Sequence, residues 1–181
     1  RRRPPRCPIP PLPPQVWRRT YSDLEEVWYA IRHLAIGGKI TGEAAMTTRA
    51  KEWLLETASW DPMGVTSRAY TDEWAYRVCN ALAWGYDWLH DDLSEEERTT
   101  VRAALLERTR DIAEHAILNA KIHLFPYDSH AVRPVSLVIV PACIALLGDD
   151  EDDEARNWPN SSICLFSTSD ASDGAGLQAT G

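Results

Sequence analysis

Asp128-Ser129-His130 is the stretch of this chain best suited to chemistry. It follows Phe125-Pro126-Tyr127 and precedes an apolar run, Val135-Ser136-Leu137-Val138-Ile139-Val140, so it sits where a loop turns into a buried helix. An imidazole titrates near neutrality and can take or give a proton at His130. Arg133 lies three residues on, one helical turn away, and can share a face with it and hold a substrate carboxylate. Ser129 and Tyr127 add hydroxyls at the same place. The plainer alternatives are a histidine that caps a helix start and an arginine on the surface. Trp84 and Trp88, at i and i+4, form a second candidate set. Two indole faces at that spacing can stack on sugar rings or fill a core. The sequence holds no nucleophile elbow, phosphate loop or metal-ligand spacing.

The elements that must position these residues read as helices. Ser22-Asp23-Leu24-Glu25 has the form of a capping box, and Leu24, Val27, Trp28, Ile31 and Leu34 then recur at helical spacing until Gly37-Gly38. A second helix is expected from about Gly42 to Thr57, with Ala45, Ala50, Trp53 and Leu54 inward. Trp60–Val65 reads as a loop. Thr71 is placed to cap a third helix that carries Trp74, Val78, Leu82 and Leu89 and breaks at Asp91-Asp92-Leu93. Ser94-Glu95-Glu96-Glu97 is a second capping box. The fourth helix should run from Glu95 to about Ala120, with Val101, Leu105, Ile112 and Ile117 inward. A fifth is expected from about Ala131 to Leu147, with Pro134 in its first turn and a kink at Pro141. A short sixth lies near Trp158 and is limited by Pro159. No segment alternates with period two, so the fold class is all-α, built of consecutive antiparallel helix hairpins.

Composition narrows the function. The chain has 181 residues, 44% of them hydrophobic, and a formal charge of -8. A chain of that length can bury about 70% of its unfolded surface in one domain. The acidity argues against a general binder of nucleic acid or anionic membrane. Much of it comes from the block Asp149–Glu154, whereas Lys121, His123, His130 and Arg133 face only Asp128 between Leu118 and Leu147. Seven of the 12 prolines fall within residues 1–15. Residues 1–20 are therefore expected to form an extended, disordered lead-in. Its basic start, Arg1-Arg2-Arg3-Pro4-Pro5-Arg6, has no apolar stretch behind it and is no intact signal peptide. Cys79 and Cys143 fall in apolar helical patterns and should be buried thiols. Cys7 and Cys164 pair with nothing near them in sequence. Residues 159–181 show no periodicity and read as an irregular tail.

The segment from Asp72 to Leu147 resembles the helical N-terminal domain of heparinase II/III-like polysaccharide lyases and related alginate lyases. The resemblance rests on Asp72-Glu73-Trp74, Ala81–Leu89, Leu93–Arg98, and Asp128-Ser129-His130-Ala131 before the apolar helix ending Ala145-Leu146-Leu147-Gly148. It implies an incomplete, truncated (α/α) toroid over residues 21–158 in a secreted or periplasmic protein. It also implies β-elimination on uronic-acid polysaccharides, an acidic polysaccharide partner, no cofactor or metal in this part, and a C-terminal β-sheet domain beyond Gly181. In such enzymes a carboxylate is neutralised, the proton beside it is removed, and the leaving oxygen is protonated. His130 matches the toroid histidine and would be the base or the carboxylate-neutralising donor. Related alginate lyases carry asparagine before this histidine, where Ser129 stands here. The family's catalytic tyrosine would lie past Gly181. Two other classes stand beside this one. A toroidal glycoside hydrolase needs a carboxylate pair across a cleft, for which Asp72 and Asp87 are available. The third is a non-catalytic carbohydrate-binding helical domain.

Overall fold

A computed structural model describes residues 14–116 and 129–147. All regular structure among them is helical. The elements are α1 (Pro14–Thr41), α2 (Ala44–Ser59), α3 (Asp72–Leu89), α4 (Glu95–Glu114), α5 (Ser129–Pro134) and α6 (Val140–Leu146). A 3₁₀ turn at His90–Asp92 links α3 to α4, and a π-helical turn at Val135–Ile139 links α5 to α6.

The fold is organised around α3. Trp74, Val78, Leu82 and Leu89 are buried as their spacing predicts, but Ala75, Cys79, Ala81, Ala83 and Tyr86 are buried too. A helix that is apolar on all sides needs neighbours all round. α1, α2, α4 and α6 supply them. α1 contributes Leu24, Val27, Ile31 and Ala35; α2 contributes Ala50, Leu54 and Ala58; α4 contributes Val101, Leu105 and Ile112. On α2 the expected inward set is half right, since Ala45 is exposed and Trp53 is only half-buried. Cys79 and Cys143 are buried free thiols, with burial pushing their pKa values up to about 12 and about 11.

Several boundaries differ from the sequence expectation. α1 begins at Pro14, inside the segment expected to be disordered, and runs straight through Ser22-Asp23-Leu24-Glu25. The reason is tertiary. Trp17 stacks on Tyr21 at 5.3 Å and lies 6.0 Å from Trp74, while Arg77 of α3 sits over the Tyr21 ring at 4.1 Å. Those contacts stabilise helix upstream of the apparent cap. Gly37-Gly38 does not end α1 either. A Cβ at Gly38 would lie 2.5 Å from Thr47 Oγ1, so the glycine lets α1 and α2 approach closely. The helix stops at Thr41, and Gly42 takes φ 72°.

Thr71 stands at the N-cap of α3 without a side-chain cap bond. Ser94 does form the expected box. Its Oγ accepts from the Glu97 amide at 3.2 Å, and Glu97 Oε2 accepts from the Ser94 amide at 2.7 Å. Lys51 of α2 joins that corner by donating to the Asp92 carbonyl at 2.8 Å and pairing with Glu97 at 2.9 Å. The fifth helix is not one rod kinked at Pro141. Its irregularity is the wider turn before that proline, where the Val140 amide donates five residues back to Val135. Pro141 has no N–H to return to the Leu137 carbonyl and would crowd it in a regular helix. Asn80 of α3 supplies the missing donor to that carbonyl at 2.5 Å. The expected end of α4 near Ala120, the helix near Trp158, Cys7, Cys164 and the tail lie outside the described residues.

Candidate functional site

The residues singled out by type and spacing separate into three groups. Tyr127 lies outside the described residues. Ser129 and His130 occupy the first turn of α5, and their side chains lie outside what the structure describes. Arg133 is at the end of the same short helix, with its guanidinium on the Glu73 carboxylate of α3: Nη1 donates to Oε1 and Nη2 to Oε2, the second at 2.6 Å. This two-pronged pair joins the His130 helix to the start of α3. It also engages the arginine expected to hold a substrate carboxylate.

Trp84 and Trp88 pack edge to face at 4.7 Å on α3. Arg32 of α1 stacks over Trp84 at 5.1 Å and over Trp28 at 4.7 Å. Trp84 is therefore one side of an indole–guanidinium–indole stack, worth on the order of 1 kcal/mol per cation–π contact at a partly exposed site. Both indoles remain half-buried.

Trp28 leads from this stack to a small cavity. Trp28, Glu73, Tyr76, Arg77, Asn80, Arg133 and Leu137 line it, and it measures about 20 Å³. Three elements converge there. α1 provides Trp28; α3 provides Glu73, Tyr76, Arg77 and Asn80 on successive turns; the α5–α6 region provides Arg133 and Leu137. Trp28 Nε1, Tyr76 Oη, Arg77 Nε and Asn80 Oδ1 are all buried and have no hydrogen-bond partner among the described residues. Such atoms are uncommon in folded proteins, and each costs roughly 1–3 kcal/mol when left unpaired. Arg77 is otherwise anchored, pairing with Glu25 at 3.1 Å and donating to Tyr21 Oη. Burial, and next the Asp72 carboxylate, push the Tyr76 phenol well above its ordinary pKa, so it stays protonated.

Among the described residues no group of His, Cys, Asp and Glu is placed to hold a metal ion, and no helix is long and apolar enough to cross a membrane. No protein-family model and no curated protein matches the chain.

A wider groove lies between α1, α2 and the loop that follows α2. Thr20, Asp23, Leu24, Glu26, Val27, Trp53, Trp60, Asp61, Gly64, Val65 and Thr66 line about 650 Å³. Its Trp60–Thr66 wall is clamped by Arg108 of α4, only 5% exposed, which donates to the Trp60 carbonyl at 2.8 Å and the Thr66 carbonyl at 3.3 Å. Neither the groove nor the small cavity was evident from local sequence, because each joins residues from distant segments. One signal was available for the cavity. Glu73, Tyr76, Arg77 and Asn80 lie three and four residues apart, which places them on one stripe of α3.

Proposed function

We propose that this chain is the N-terminal part of a polysaccharide lyase that cleaves uronic-acid polysaccharides by β-elimination on an incomplete toroid of helix hairpins. The observation that supports this reading is the docking of the His130 helix, through Arg133 and Glu73, beside a cavity walled by buried hydrogen-bond donors. β-Elimination needs donors that neutralise the substrate carboxylate and a base for the adjacent proton. In this reading His130 is the base or a carboxylate donor. The proton comes from the carbon bearing the carboxylate, its electron pair forms the new double bond, and the glycosidic oxygen leaves with a proton from an acid downstream of this chain. Trp84 and Trp88 flank the sugar path, with Arg32 held between the Trp28 and Trp84 rings. The test is incubation of the complete enzyme with polyuronates and neutral glycans. Ultraviolet absorbance from unsaturated product ends on polyuronates alone is expected. Saturated reducing ends would refute elimination.

A glycoside hydrolase or carbohydrate-binding domain is the second reading, favoured by the wider groove. There Trp53 and Trp60 stand beside Asp23, Glu26 and Asp61, an aromatic floor with carboxylates that suits sugar hydroxyls. Saturated products lost on Asp61→Asn or Glu26→Gln would select hydrolysis. Glycan binding without any turnover would select the binding domain.

A further inference from the structure

We propose that the wider groove between α1, α2 and the loop after α2 is the docking site of the chain's own residues 1–13, which reach it within the same molecule. The docking uses none of the residues on which the lyase reading rests, so either stands without the other. A glycan entering this groove would have to displace the segment.

Residues 1–13, which lie outside the described residues, hold six prolines, four arginines and no acid. Proline fixes φ near the polyproline II value, and that helix has three residues per turn. Positions 3, 6, 9 and 12 then share one edge. Arg3 and Arg6 are its basic half, Ile9 and Leu12 its apolar half. The groove is the complement of that edge. Leu24, Val27, Trp53, Trp60 and Val65 bring apolar surface to about 650 Å³, and Val65 is 54% exposed. Proline-rich segments suit aromatic-lined grooves because they are already extended and lose little entropy on docking. Asp23, Glu26 and Asp61 add three acids to a lining that contains no base. Asp23 has Arg19 at 4.0 Å in a pair open to solvent, while Glu26 and Asp61 have no ion-pair partner among the described residues. Two nearby cations are engaged elsewhere. Arg49, over the Trp53 ring, pairs with Glu52, and Arg108 donates to the Trp60 and Thr66 carbonyls. The reach is sufficient. α1 starts at Pro14, and Thr20 at the groove lies about 9 Å further along its axis. Ile9 to Pro13 spans about 15 Å in the polyproline II form. So short a tether supplies an effective concentration on the order of 1 mM, which favours the chain's own segment over that of a second copy.

The test places a nitroxide label on Cys7 of the full chain carrying Cys164→Ser; Cys79 and Cys143 are buried and stay unlabelled. A nitroxide broadens the nuclear magnetic resonance signals of groups close to it. The indole N–H signals of Trp53 and Trp60, assigned with Trp53→Phe and Trp60→Phe, are expected to lose intensity. Tethering alone also brings Cys7 near the start of α1, so the control is the same labelled chain with Ile9→Asn and Leu12→Asn. Both substitutions precede α1, so the melting temperature should hold while the two indole signals recover. Glu26→Gln with Asp61→Asn should also restore them, at least in part. Equal broadening with and without the Ile9 and Leu12 substitutions would refute docking, as would no broadening at all. Full broadening in the Glu26 and Asp61 variant would refute the role of the acids. Broadening passed from a labelled chain to a second, unlabelled chain in a mixed sample would replace the intramolecular occupant with a second copy and overturn the proposal.

Discussion

Arg133 and Glu73 decide whether the helix that begins Ser129-His130 is held against α3. Removing the guanidinium with Arg133→Ala breaks two charge-assisted hydrogen bonds, each worth about 1.5–3 kcal/mol net when shielded from water. The pair is only partly shielded, with side chains 33% and 19% exposed, so solvent screens a share of that energy. The more buried partner is Glu73, and it is left beside the apolar wall of Tyr76 and Leu137. Together these place the loss at about 2–3 kcal/mol, or roughly 5–10 °C in a chain of this size. Glu73→Ala should cost a similar amount. The double variant should cost less than the sum, with a coupling of about 1–2 kcal/mol. Urea unfolding of the wild type, both single variants and the double variant closes the cycle. Strict additivity would refute the pair as the tie between α5 and α3.

Three further outcomes follow from the packing. Gly85→Ala places a methyl 2.6 Å from Leu54 Cδ1 and 2.9 Å from Ile31 Cγ2; the helix-propensity gain of about 1 kcal/mol should be outweighed by overpacking of about 1–3 kcal/mol, and a raised melting temperature would contradict this. Arg108→Met should lower stability by about 2–4 kcal/mol in chemical unfolding, because the Trp60 and Thr66 carbonyls lose their donor; an unchanged midpoint would mean that the loop is held otherwise. Burial lowers the pKa of His115, with Arg68 next in effect, so the unfolded chain protonates first as pH falls. That contribution is complete above about pH 6.5 and is lost as pH falls toward the folded value. A decline in urea midpoint below that pH is expected in the wild type and should be reduced in His115→Gln.

Where local chemistry was sufficient, the sequence was legible. Ser94–Glu97 forms the box its pattern describes, since both bonds close within one turn. The apolar spacing on α3 places Trp74, Val78 and Leu82 in the core because that helix is surrounded. Ser22–Glu25 shows the limit of the same pattern. It satisfies the form of a box, yet Trp17 and Tyr21 find partners on α3 and carry the helix back to Pro14. Gly37-Gly38 reads as a stop in one dimension and acts as a close crossing in three. The cavity was hidden for the same reason, since Trp28, Asn80 and Arg133 meet only after α1, α3 and α5 have packed. Arg133 was singled out as a carboxylate ligand from its spacing to His130; its partner, Glu73, is 60 residues away.

The proposed role of His130 is proton chemistry on a uronate. The direct measurement is turnover of a polyuronate by the full-length protein and its His130→Ala variant, followed by unsaturated product ends, with thermal melting recorded on both. The expected loss is about 10²–10⁴-fold, the usual scale for a general acid or base, with melting little changed. Wild-type turnover in the variant would contradict it, as would a collapse in melting temperature with activity lost in proportion.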